Sequence, residues 1–495
     1  MTGERHRSGP IGAVMHRRPR IWSPRDTTTS PPPGIRRPRS GQIGGLVAVV
    51  VVVAAVLVAG STAQALTAGP VSTNWTTYHA NPLETGIAPT TASFSHPKLD
   101  WTSPALNGQL YGEPLVDGSL VVVATENDVV YGLNASNGAV AWSTTVGTPV
   151  PASLLPCGDI SPNVGITSTP VIDESLSEVF VVADEVNGAV ISHHLVGLGL
   201  STGTVLLDQV VDPPGSLTTA QLQRPGLALD HGSVEIAFGG NAGDCSTYHG
   251  WIVSVPESGG TLRTWEADPT PGNDQGAVWM GGAAPVVDSI GNVWIATGNG
   301  SNTTGSSPDG SDSVIELSSS LAVVQSFTPS TWRPDNASDA DLGSSAPAIM
   351  GNGLVFMAGK SRTAYLLNQS KLGGVGGQVA QRSFCGSDVD GGEAFTTTVV
   401  YAPCVKGVVA VKVNTRTHKM RVLWSTSTGS SGPPIVAGNM VWTIRRDGTL
   451  FGLRKSNGRS SVRLTVGAPS NHFSTPSVGD GLLLAASSNQ VLAFH

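Results

Sequence analysis

The sequence predicts an all-β chain: an eight-bladed β-propeller of four-stranded antiparallel blades, its ring closed by an N-terminal strand. Short β-rich runs bounded by turn residues recur from Gly112 to the C-terminus with a period of about 40 to 50 residues, and a strands-only repeat of that length is how a propeller reads. Glycine (61 residues) and proline (34) are abundant while only 13% of residues are charged, a balance that suits many short strands and tight turns. No amphipathic helical pattern interrupts the runs.

Residues 276–317 show the unit most plainly. An apolar run at 284–287 ends at Asp288, Gly291 and Asn292 make a turn, a second run covers 293–297, and a third covers 313–317. Inner strands of successive blades are expected near Gly112, Gly165, Arg224, Gly276, Asp341, Glu393, Gly429 and Phe473. The last unit, residues 472–495, supplies only three strands, while residues 99–106 form an orphan strand ahead of the first unit. Pairing the two would leave no open sheet edge. Length alone suits two or three domains, but stacked blades share one continuous core, so residues 71–495 count as one propeller.

Residues 1–42 differ from the rest. Nine arginines oppose only Glu4 and Asp26 there, with Pro31, Pro32 and Pro33 between them, which reads as a disordered basic cytoplasmic tail. Residues 43–66 read as a signal peptide or a signal anchor. The apolar run at 46–59 has the length of a signal h-region, and Ala63-Gln64-Ala65 suits signal peptidase; left uncleaved, residues 43–66 are long enough to span a bilayer. Either outcome puts the propeller outside the cytoplasm, secreted or anchored to the membrane. The arginine pairs at 17–18 and 36–37 lack the flanks of a twin-arginine signal.

Without residues 1–42, 19 basic side chains face 33 acidic ones, a formal charge of −14 that argues against nucleic acid as a partner. Cys157, Cys245, Cys385 and Cys404 show no C-x-x-C spacing, which excludes a zinc ribbon or a thioredoxin-like motif. In an oxidising compartment they predict two disulfides, with Cys385–Cys404 and Cys157–Cys245 favoured among three connectivities. Separate buried thiols are the alternative.

Within the repeats, Asn137-Gly138 and Asn457-Gly458 make the turn before the fourth strand, where both positions tolerate positive φ. The segment from Tyr131 to Trp142, YGLNASNGAVAW, resembles the pyrroloquinoline-quinone (PQQ) type propeller repeat, with its Y-x-L-D/N strand and A-x-x-G-x-x-x-W hairpin. The resemblance covers residues 112–495 and implies the fold; the same ring serves dehydrogenases and non-catalytic scaffolds.

Four stretches are similar to parts of quinoprotein alcohol and sugar dehydrogenases. Thr297-Gly298-Asn299 resembles the T-G-N element whose asparagine helps hold Ca²⁺ beside the quinone, which implies Asn299 as a metal ligand. Residues 338–342 resemble the W-D-x-D segment, which puts Asp339 in the place of the catalytic aspartate and beside the metal, although Ser338 stands where the tryptophan belongs. Residues 359–368 resemble the element whose basic residue donates to the quinone oxygens, which implies Lys360 in cofactor binding. Residues 243–251 resemble the loop carrying a Ca²⁺-binding glutamate. Counting back from Gly250 puts Cys245 at that position and the ligand Asp244 one residue away. Beside each stands a plainer reading: a Gly-Asn turn, a solvated acidic loop, a surface lysine and a structural aromatic strand around Tyr248, His249 and Trp251. His193 and His194 are assigned to a strand, with no third metal ligand at a sensible spacing.

Two departures stand out. No adjacent cysteines are present to cap the quinone, and the tryptophan that floors it is expected near Ala284, so Trp279 upstream is the candidate. With no C-x-x-C-H haem motif, electrons would leave through a separate acceptor. The resemblance therefore implies a PQQ- and calcium-dependent dehydrogenase acting on a small-molecule alcohol or sugar. The alternative is a non-catalytic cell-surface scaffold or ligand-binding propeller with a surface protein partner. Convergence of Asp244, Asn299, Asp339 and Lys360 at one mouth of the channel would favour the enzyme.

Overall fold

The computed structural model describes residues 74–88, 94–429 and 431–495. The basic tail and the apolar segment expected at 1–42 and 43–66 lie outside the described residues. Eight sheets follow one another, each built on four antiparallel strands, with a short fifth strand added in two of them. Blade 1 consists of Leu115–Asp117, Leu120–Ala124, Val129–Asn134 and Val140–Thr145. The inner strands of blades 2 to 8 begin at Val171, Ala228, Val286, Ala348, Ala394, Ile435 and Ser477, each a little downstream of its expected start. Middle strands such as Leu120–Ala124 and Leu354–Ala358 are continuous apolar runs because neighbouring blades cover both of their faces. Outer strands such as Val140–Thr145 keep their side chains partly or wholly exposed.

Blade 8 takes its outer strand from the other end of the chain. Leu99–Thr102 pairs antiparallel with Gln490–Phe494, with Leu99 opposite Phe494 and Trp101 opposite Ala493. The Trp101 indole then reaches blade 1, donating 2.7 Å to the Ala135 carbonyl. The same device recurs where Trp142 of blade 1 donates to Leu200 O of blade 2 at 2.9 Å, and where Trp424 of blade 6 donates to Lys455 O of blade 7 at 2.8 Å. Each indole lies over the glycine of the next blade's last hairpin, Gly138, Gly203 or Gly458. There φ is near +70° and a Cβ would collide with the ring. Within one hairpin the two residues of the G-x-x-x-W spacing thus serve opposite neighbours: Gly138 receives the Trp101 ring of blade 8, and Trp142 reaches Gly203 of blade 2. One apolar cluster accordingly runs from Leu133 and Val179 of blades 1 and 2 to Trp442 and Leu483 of blades 7 and 8.

Residues 74–88 belong to no blade. Trp75 bridges to Val116 of blade 1, Thr76 O accepts from Ile172 of blade 2, and Pro82 O accepts from Val287 of blade 4. Thr85 O accepts from Phe395 of blade 6, and Gly86 O from Val436 of blade 7. Inner strands line the axis of the ring, so a segment bonded to five of them lies across the axial channel. Among the described residues no helix is long and apolar enough to cross a membrane. One short α-helix, Trp332–Ala337, does occur between blades 4 and 5, contrary to the helix-free expectation; six residues are too few to show a helical period.

Candidate functional site

Loops between second and third strands and loops between blades emerge at the same end of a propeller, because each strand reverses direction. Asp244, Asn299 and Lys360 sit in second-to-third-strand loops of blades 3, 4 and 5, and Trp279 and Asp339 in the loops joining those blades. All five line one cavity of about 240 Å³ at that end of the ring.

At its centre Lys360 is held by two carboxylates, 2.9 Å from Asp339 Oδ1 and 2.5 Å from Asp341 Oδ2. Burial alone would lower the ammonium's pKa, but Asp341 and Asp339 outweigh it and hold Lys360 above its ordinary value. The two aspartates differ sharply. The Asp339 side chain is 69% exposed and adopts φ 53°, whereas the Asp341 side chain is 4% exposed. Asp341 Oδ1 accepts the Asn299 backbone N–H at 2.6 Å, and burial raises its carboxyl against the opposing pull of Lys360. The sequence pointed to the first aspartate of the D-x-D pair; the structure makes the second the buried anchor of the site.

The Asn299 amide nitrogen donates to Gln275 Oε1 at 3.3 Å, which leaves its carbonyl oxygen for another partner. Asp244 is exposed and accepts the Tyr248 hydroxyl at 2.7 Å. Cys245 is bonded to Cys157, so that position offers no ligand, and the bridge ties the Asp244 loop to the insertion after blade 1. Ala284, where counting put the aromatic floor, is buried in the core, because a turn of 3-10 helix at Met280–Gly282 intervenes and leaves Trp279 facing the cavity.

Three further groups complete the lining. Arg224 lies between two aromatic rings, its guanidinium carbon 5.7 Å from the Trp279 centroid and 5.1 Å from that of Phe473. Burial pushes Asp390 up to about 6, partly opposed by Lys360, and burial with Arg224 nearby drives His472 down to about 4, so its imidazole is neutral. Arg224 carried a signal only as the start of an inner strand, and Asp390 and His472 carried none. His193 and His194 do sit in a strand, Val190–Gly199. His194 nevertheless has neighbours the spacing hid, Glu185 and Asp208 on adjacent strands, and together they are a group of three His, Asp and Glu side chains close enough to share a cation.

Both expected disulfides are present, Cys157–Cys245 and Cys385–Cys404, with Cα separations of 6.1 and 6.0 Å.

Residues 63–303 match the family model described as outer membrane protein assembly factor BamB. No curated protein matches the chain. Among solved structures, the quinohemoprotein alcohol dehydrogenase from Comamonas testosteroni is 15% identical over 85% of this chain and 80% of its own, with a TM-score of 0.63. A europium-containing methanol dehydrogenase is 12% identical over 85% of this chain and 97% of its own, at 0.64. BamB from Moraxella catarrhalis is 16% identical over 81% and 97%, at 0.53. At such identities the likeness is one of fold, shared by dehydrogenases and BamB alike. The repeat legible at 131–142, the family-model match over 63–303 and the common ring together show a propeller of the PQQ-like repeat type.

Proposed function

We propose that the protein is a quinone-dependent dehydrogenase acting outside the cytoplasm, oxidising an alcohol or sugar with PQQ and a calcium ion. One observation carries this reading: Asp244, Trp279, Asn299, Asp339 and Lys360, drawn from three blades and two connecting loops, line a single cavity. The donor set suits the group. Trp279 is an aromatic wall of the cavity, and Arg224 and Lys360 offer cations to a quinone's carboxylates and oxygens. Asn299, Asp244 and Asp339 offer oxygens to a hard cation. The two disulfides fit an oxidising compartment.

When bound, the quinone supplies a two-electron acceptor for the hydride of the substrate's carbinol carbon. The chain's own work is proton transfer and positioning. Asp339 Oδ1 is engaged by Lys360 while Oδ2 has no partner among the described residues, so Oδ2 takes the substrate hydroxyl proton and passes it to solvent. Asp341, fixed by the Asn299 N–H, holds Lys360 in place.

A second reading, a non-catalytic surface propeller with a protein partner, is favoured by the Arg224 guanidinium, which already covers the Trp279 face that a quinone needs. Calorimetry of the purified protein with PQQ, with and without Ca²⁺, followed by a dye-linked alcohol and sugar assay, separates the two. Calcium-dependent binding supports the dehydrogenase, and no binding leaves the scaffold.

A further inference from the structure

Charge is distributed very unevenly around the ring. From residue 394 to 465, spanning blades 6 and 7, the chain carries 11 lysines and arginines against one acid, Asp447. Residues 74–393 carry 8 basic side chains against 31 acidic ones. In a domain so acidic overall, two adjacent blades thus form a basic sector, and like charges gathered at that density repel unless something anionic lies among them.

That sector also contains a groove. A cavity of about 320 Å³ runs between the outer strand of blade 6, Met420–Ser425, and the third and fourth strands of blade 7, Thr449–Arg454 and Ser460–Thr465. Arg445 stands at one end, in the turn before Thr449, and Arg459 at the other, in the turn after Arg454. Arg463 lies between them, opposite Phe451 in the strand register. A six-residue strand spans about 20 Å, so Arg445 and Arg459 branch from opposite ends of such a length, while the Arg445 and Arg463 guanidinium groups both lie over the Phe451 ring. Between them the walls present the hydroxyls of Thr426, Thr428 and Ser460 and the Asn457 amide, and no carboxylate. The sector's only acid, Asp447, is paired with Arg445 and leaves Arg459 and Arg463 uncompensated.

We propose that this groove binds a linear acidic polysaccharide, the arginines taking its anionic groups and the hydroxyl and amide groups its sugar hydroxyls. Arg459 and Arg463, four residues apart and uncompensated, with Arg445 on the Phe451 ring beside Arg463, suit repeated charges on an extended chain. Single-stranded nucleic acid fits less well, because it needs open aromatic platforms for its bases. The groove's one aromatic, Phe451, is covered by Arg445 and Arg463, at 5.6 and 5.2 Å from its centroid, and is itself buried. The site is separate from the cavity that holds Lys360 and stands whether or not that cavity binds a quinone.

The test is binding of the intact protein to polygalacturonate and dextran sulfate, with neutral dextran and single-stranded DNA as comparisons, at several salt concentrations. Binding to at least one acidic glycan is expected, falling tenfold or more in the Arg459→Ala/Arg463→Ala double variant. It should change less than threefold in Arg416→Ala/Lys419→Ala, which removes two charges from blade 6 outside the groove. Failure to bind either glycan, equal losses in the two double variants, or DNA binding at least as tight as glycan binding would each overturn the proposal. Both double variants replace exposed side chains, and matching thermal melts verify that they fold.

Discussion

Lys360 Nζ lies 2.5 Å from Oδ2 of Asp341, a buried carboxylate on the loop from the preceding blade, whose other oxygen holds the Asn299 N–H. A cation from blade 5 and an amide from blade 4 are thereby fixed by one side chain. Because Asp339 shares the same lysine from the solvent side, the two aspartates carry separable roles.

Asp339→Asn keeps the shape and loses the base, so turnover should fall by about 10²- to 10⁴-fold while PQQ affinity stays within threefold. Asp341→Asn releases Lys360, so PQQ affinity should weaken by about 10- to 100-fold together with turnover. Calorimetry and steady-state kinetics on the two variants check the division. Equal effects on affinity would contradict it.

The Trp424 and Gly458 pair tests how the blades are joined. Gly458 has φ 68° and the Trp424 ring lies where its Cβ would go, so Gly458→Ala both strains the backbone and clashes. A loss of about 2 to 4 kcal/mol is expected in urea unfolding. Trp424→Phe, which removes only the N–H donated to Lys455 O and some area, should cost about 1 to 2 kcal/mol.

What the sequence made legible follows from how local each feature is. Blade boundaries could be read because every hairpin carries its own turn residues, as at Asn137-Gly138, and strand alternation needs no distant partner. The cavity residues could be read where a short motif carried them, as with Asn299 and Lys360. Asp341 could not be separated from Asp339, because burial of one of two aspartates a residue apart depends on how the loop descends onto Asn299. Residues 74–88 resisted for the opposite reason: they occur once, lack a period, and gain their structure from bonds to inner strands up to about 350 residues away.

Cys385, in the loop leaving blade 5, is bonded to Cys404 at the end of the second strand of blade 6, closing a loop of 19 residues. Constraining the unfolded chain over such a loop is worth about 3 kcal/mol. The Cys385→Ser/Cys404→Ser variant should therefore melt earlier by that amount, with quinone affinity unchanged because neither cysteine lines the cavity. A melt matching that of the parent protein would place the constraint elsewhere.

The last prediction concerns pH. Between blades 1 and 2, burial pushes the Glu126 carboxyl up to about 8 and the Asp128 carboxyl up to about 9, with Asp184 adding to both. Glu126 Oε2 accepts the Gly165 N–H at 2.8 Å and the Thr167 hydroxyl at 3.1 Å, and these bonds oppose the rise without cancelling it. Arg224 also opposes the rise at Glu126, as the smallest of these influences, and no lysine or arginine occurs between Lys98 and Arg224 in the sequence. A carboxyl raised in the folded state binds its proton more tightly there than in the unfolded chain. As pH climbs from the ordinary carboxylate range, the unfolded chain ionises first, and stability falls until the folded group ionises too. The favourable window is therefore acidic, with the loss accumulating between about pH 4.5 and 8 for Glu126. Thermal melts at pH 5, 7 and 9 should show a decline of a few kcal/mol across the series. Glu126→Gln, which keeps an acceptor for Gly165 but cannot ionise, should flatten the profile and raise stability at pH 9 relative to the parent. A parent profile that rises from pH 5 to pH 9 would mean that these carboxylates are ionised and paired in the folded protein.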